Sequence, residues 1–186
     1  MKNLLKILLG AVLSFQLVAI IQEWPLFAAA WLGVGPGAAV VAPLSAGDRE
    51  GAERALREYH ALSRHLYAAA GDPRFTDRLP ASDQVKDELL ADIAYLQHSG
   101  LAQEGSLVRL EVLAARRLGE QTLALDTREY WVVSLLEAAN RQPVEPPRSQ
   151  IFWGTYRLRR ESGGWRVDAW EVAAPPLEPD GPDGGQ

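Results

Sequence analysis

The 186-residue chain contains no cysteine. Disulfides, thiolate zinc centres and cysteine nucleophiles are therefore excluded together. The redox compartment stays open, because a cysteine-free chain is at home on either side of a membrane. Histidine is scarce: His60, His65 and His98 are the only three. His60 and His65 are five apart, so on one helix they diverge by about 140° and do not clasp one metal as an i,i+4 pair would. Lysine is nearly absent, three residues against 16 arginines, and the net charge is −5. Nucleic-acid binding needs clustered basic charge, and this balance gives no reason to expect it. The sequence shows no catalytic motif, no metal motif and no repeat, and nothing in it requires a cofactor.

What is present begins with an apolar N-terminus. The stretch MKNLLK carries two of the three lysines, and Ile7 to Ile21 is free of charge. Counted from Leu4 and passing over Lys6, the apolar stretch reaches 18 residues. As a helix it would rise about 27 Å, close to the ~30 Å of bilayer hydrocarbon. Residues 1–23 read as a signal anchor or a signal peptide, with Lys2 and Lys6 holding the start in the cytoplasm. An uncleaved anchor predicts a single-pass protein with its domain outside the cytoplasm. Cleavage near Ala28-Ala29-Ala30 would secrete that domain instead. Residues 24–47 read as an apolar, Gly/Pro-rich linker or as a second membrane segment, which would return the domain to the cytoplasm. Gly33, Gly35, Pro36, Gly37 and Pro43 oppose a continuous helix there.

Residues 48–173 are long enough to bury a core. Asp48 is a good N-cap, and Ala52, Ala55, Leu56, Tyr59, Leu62, Leu66 and Ala69 form one apolar stripe. Gly71 and Pro73 stop that helix. Ser82 suits the cap of a second helix, with Val85, Leu89, Ile93 and Leu96 facing inward and Gly100 just past its end. From Ser106 the period becomes two. Strands over 106–117 and 121–136 are predicted to turn at Gly119-Glu120. That turn sets Glu111 opposite Arg128, Val108 opposite Trp131, Val112 opposite Thr127 and Ala114 opposite Leu125. Charges fall on one face, apart from Glu129, which sits opposite Leu110 on the apolar face. After the loop at Pro143, Pro146 and Pro147, a second hairpin runs from about Ile151 and turns at Ser162-Gly163. It sets Leu158 opposite Val167, Tyr156 opposite Ala169, and Arg157 opposite Asp168. Residues 174–186 are too rich in Pro, Gly and Asp to pack and are expected to form a disordered acidic tail. The predicted fold is α+β: two helices packed on a curved four-stranded antiparallel sheet.

This element order, with the ending Tyr156-x-Leu158…Gly164-Trp165-x-Val167, resembles the nuclear transport factor 2-like superfamily, the cystatin-like α+β cone. The resemblance runs from about Asp48 to Ala173. Within it, Leu107–Trp131, two polar-faced strands ending in Glu129-x-Trp131, is similar to the interaction domain of plastid-division proteins. The anchor-plus-domain layout is similar to assembly components of type IV secretion systems. Both likenesses imply protein–protein contact in an envelope complex. The superfamily also includes isomerases and hydrolases with an acidic base in the cone. No such set aligns here residue by residue, so no catalytic residue is assigned.

Two places deviate from a plain fold. Glu129 on the apolar face is costly to bury unpaired, and its pKa would then rise. With Tyr59 and Tyr156 converging on it, it marks a candidate pocket. On the outer face of the last hairpin, Ile151, Trp153, Trp170 and Val172 form a candidate interface, because clustered exposed aromatics mark contact sites. The expected function is a non-catalytic, membrane-tethered domain that binds a protein partner or a second copy of itself. The alternative is a small-molecule-binding or isomerase/hydrolase-like cone around Glu129.

Overall fold

The computed structural model describes residues 43–173. The readings of residues 1–23, of most of the linker and of the acidic tail lie outside the described residues. Among the described residues, no helix is long and apolar enough to cross a membrane.

The first helix, α1, spans Ala46–Ala68. Its cap is Ser45, whose hydroxyl accepts from the Asp48 amide at 3.1 Å. The sequence pointed to Asp48 for that role. Asp48 instead sits in the first turn, where a carboxylate favours the positive end of the helix. There it meets Arg117 and, at 2.9 Å, Arg160. A single helical turn, α2, covers Pro73–Thr76 and was not anticipated. Gly71 and Pro73, read only as stop signals, lead directly into it. The next helix, α3, spans Asp83–His98, is capped by Ser82 and buries Val85, Leu89 and Ile93.

Four strands follow: β1 Leu101–Gly119, β2 Thr122–Glu137, β3 Arg148–Glu161 and β4 Gly164–Ala173. They form one antiparallel sheet in the order β1-β2-β3-β4. The helices cover its inner face. Leu56, Leu66, Leu79, Leu123, Leu125, Leu158, Val85 and Val167 are the largest fully buried apolar side chains. The α+β architecture expected from the sequence is thus the one observed.

Register departs from expectation at four bulges. In the first hairpin, Glu111 pairs with Arg128, Leu110 with Glu129 and Val112 with Thr127, as expected. The turn falls at Glu120-Gln121, however, since Gly119 pairs with Thr122. Leu107 rather than Val108 faces Trp131, and Ala115 rather than Ala114 faces Leu125. The extra residues Val108, Leu113 and Leu118 are all exposed. In the second hairpin Leu158 pairs with Val167, but a bulge then intervenes and Tyr156 pairs with Trp170, not Ala169. Arg157 still reaches Asp168 by a 2.9 Å hydrogen bond. A one-residue insertion flips every later side chain of β4, and this has a direct consequence for the candidate interface.

Candidate functional site

Alternation along β2 places Thr127, Glu129 and Trp131 on the inner face. Their partners across β3 are Gly154, Phe152 and Gln150. Glu129 is buried, as are Tyr59 and Tyr156. The fourth member of the cluster, His60 of α1, was weighed from the sequence only as a metal ligand and not as a neighbour of Glu129. It lies four residues after Leu56 and eight after Ala52, on the edge of the apolar stripe, and that spacing was the available signal. Its ring sits 5.5 Å from Tyr59, 5.4 Å from Tyr156 and 5.6 Å from Trp131, each edge to face. The space between helix and sheet is occupied by these rings.

The Glu129 carboxylate has partners of its own. Trp131 Nε1 donates to Oε2 at 2.8 Å, and the Thr127 hydroxyl lies 3.1 Å from Oε1. That hydroxyl also lies 3.2 Å from the Gly154 carbonyl, so its single proton is shared between two acceptors. His60 Nε2 stands 3.4 Å from Oε1. The expectation of an unpaired carboxylate with a raised pKa is corrected. Burial does push the value up, but His60 beside it and the contacts from Trp131 and Tyr156 outweigh burial and hold it below the usual carboxylate range. Burial, and secondarily the Glu129 charge, push the Tyr59 and Tyr156 hydroxyls upward. Both phenols stay protonated at neutral pH.

The candidate interface is divided. Ile151 and Trp153 lie on the outer face, across from Tyr130 and Arg128. Ile151 is exposed and Trp153 half-buried. Two guanidiniums, Arg109 and Arg128, flank the Tyr130 ring beside them. Trp170 and Val172 were expected on that same face. The bulge puts both on the inner face instead, where Trp170 packs against the core and Val172 stays exposed. The cause is the added residue near Asp168, which alternation alone cannot reveal.

A different apolar surface results. The 19 residues of β1 extend about 60 Å, whereas the 23 of α1 extend about 35 Å. α1 therefore ends before the sheet does. Beyond Glu129 the inner face carries Leu107, Trp131, Val133 and Phe152, all half-buried and outside the core cluster. Among the described residues, no three His, Asp or Glu side chains converge to hold a metal.

Fold and site together define an α+β domain, helices on one face of a four-stranded antiparallel sheet, with Glu129 enclosed among Tyr59, His60, Tyr156 and Trp131. No family model matches the sequence, and no curated protein matches it. In structure the chain is similar to the intermembrane space region of the chloroplast protein ARC6, with a TM-score of 0.59 at 11% identity, over 72% of this chain and 100% of that one. It is also similar to an NTF2-like protein involved in plasmid conjugation, with a TM-score of 0.41 at 12% identity, over 57% and 42% of the two chains. A cystatin-like domain of unknown function from Nostoc punctiforme gives a TM-score of 0.39 at 12% identity, over 70% and 78%. At such identities, the likeness to the ARC6 region establishes the fold and nothing finer.

Proposed function

We propose that the α+β domain is a non-catalytic module that binds another protein in a cell-envelope complex, tethered through residues 1–23 with the domain outside the cytoplasm. One observation carries this reading: the chamber is closed while the inner face beyond it is not. Glu129 is only 4% exposed, and its two oxygens are engaged by Trp131, Thr127 and His60. A small-molecule cone needs open volume beside that carboxylate, and here the His60 ring occupies it. Leu107, Trp131, Val133, Phe152 and Val172, by contrast, keep apolar surface partly exposed on the inner face, beside Gln150 and Arg148 of β3, where a partner can reach it.

The test uses a photo-crosslinking amino acid at Phe152, on that face, and at Arg54, on the exposed side of α1. The full chain is expressed in its membrane for both. Position-specific adducts with one protein are expected from Phe152 and not from Arg54. Equal adduct patterns from both sites, or none from Phe152, would remove the reading. A reporter fused at the C-terminus reads the sidedness: activity outside the cytoplasm is expected, and activity inside favours two membrane segments.

A further inference from the structure

With Trp170 and Val172 on the inner face, the outer face keeps a smaller apolar patch of Tyr130, Ile151 and Trp153. Ile151 is 48% exposed, and Tyr130 and Trp153 are half-buried. Tyr130 lies across from Ile151 of β3 and from Arg109 of β1. The guanidiniums of Arg109 and Arg128 stand 5.5 and 5.6 Å from the centre of its ring. Both meet the same acid, Glu111. Two cations thus share one carboxylate, and one positive charge is left over beside the ring. The other acids of that face lie further off. Glu171 pairs with Thr155, on the far side of Trp153, and Asp168 already serves Arg157 and Arg159.

The chain itself supplies a segment at this place. β4 ends at Ala173, which pairs with Trp153. Because β4 is antiparallel to β3, its direction there leads past Ile151. Residues 174–186 follow, with Pro175-Pro176-Leu177-Glu178, then Asp180 and Asp183, and with no lysine or arginine. Pro175 and Pro176 donate no ladder hydrogen bond, so the sequence is unsuited to prolonging β4. It suits polyproline II, which needs no such bonds and docks on aromatic side chains. The lengths agree. At about 3.1 Å per residue, Glu178 reaches about 15 Å beyond Ala173. Three strand spacings of about 4.8 Å put β1, which carries Arg109, about 14 Å from β4 across the sheet.

We infer that residues 174–180 lie across the outer face, with Pro175, Pro176 and Leu177 on Trp153 and Ile151, and with Glu178 and Asp180 beside Arg109 and Arg128. Place and charge together select this occupant: the segment starts beside Trp153, and its acids meet the surplus cation. The contact covers the outer aromatics and leaves the inner face as the apolar surface open to a partner. It does not depend on the protein-binding reading.

The absence of cysteine makes the test direct, because two introduced thiols are the only ones in the chain. In the full chain, in its membrane, Pro176→Cys is combined with Ile151→Cys on the outer face or with Phe152→Cys on the inner face. Phe152 is the nearer of the two to the Ala173–Trp153 pair, so a segment without a preferred face closes the 176–152 disulfide at least as fast as the other. Under a mild oxidant the 176–151 disulfide is expected to close about tenfold faster than 176–152. Arg109→Gln leaves Arg128 and Glu111 one to one, and high salt screens the ion pairs. Each is expected to lower that ratio severalfold. A ratio near one, a faster 176–152 disulfide, or a ratio unmoved by Arg109→Gln would overturn the inference. So would a disulfide between two chains in place of the intrachain one, which would put a second copy on the outer face. Adducts at Phe152 are a separate readout, so the protein-binding reading stands or falls independently of these results.

Discussion

At the scale of single residues, Glu129 shows how environment reverses a simple expectation. Burial alone raises a carboxylate's pKa, but here donors and His60 hold it below the usual value of 4.5. The ionised form is therefore favoured more in the folded than in the unfolded chain. Its contribution to stability is fully present above pH about 4.5 and is lost as pH falls through the depressed folded value. Glu129→Gln should flatten the loss of stability in that acid window, read as the urea midpoint against pH. At pH 7 the same variant should lose about 1.5 kcal/mol, since charge-assisted hydrogen bonds become neutral ones. An unchanged acid slope would show that the carboxylate is not the group being titrated. The position of Glu129 was legible, because alternation from Leu110 and Val112 put it among apolar neighbours. Tyr59 and Tyr156 were expected beside it, but the contacts from His60, Thr127 and Trp131 that saturate the carboxylate were not legible.

At the scale of elements, two glycines of α1 separate propensity from packing. Gly47 has nothing within 4 Å of where a Cβ would stand, whereas a Cβ on Gly51 would lie 2.9 Å from Trp165 Cδ1. Alanine improves helix propensity by up to about 1 kcal/mol over glycine. Gly47→Ala should therefore stabilise, by about 0.5 kcal/mol so near the helix start. Gly51→Ala meets a Trp165 ring that is itself buried. Overpacking of that kind costs about 1–3 kcal/mol, so the clash wins and the variant should melt lower. Thermal unfolding of the two variants decides the matter, and equal shifts would contradict it. Bulges belong to the same scale. Val108, Leu113 and Leu118 recur every five residues along β1, a rhythm readable only after the pairing is known. The bulge beside Arg157 and Leu158 moved Trp170 and Val172 to the inner face and dissolved the outer patch expected from strict alternation.

At the scale of the whole molecule, Asp48 gathers three distant segments. It joins the start of α1 to Arg117 near the first turn and to Arg160 near the second. The hydrogen bonds from Ser45 and Arg117 hold its pKa below the usual value, so this tie is present at neutral pH and weakens as pH falls below about 4. Asp48→Asn should speed amide hydrogen exchange at both hairpin turns at pH 7 while leaving α3 unchanged. Uniform acceleration would mean that the residue acts through global stability instead. Further along the strands, Ser82 and Val167 tie the start of α3 to β4 through a 2.8 Å backbone hydrogen bond.

Hydrophobic periodicity alone determined the two long helices, the four strands, the α+β class and the facing of Tyr156 and Leu158 toward the core, because each depends on side chains within a few positions of one another. Tertiary structure decided the bulges, the saturation of Glu129 and the sheet's reach beyond α1. Those depend on how strands of unequal length slide past one another and past the helices above them, and neither propensity nor alternation records that displacement.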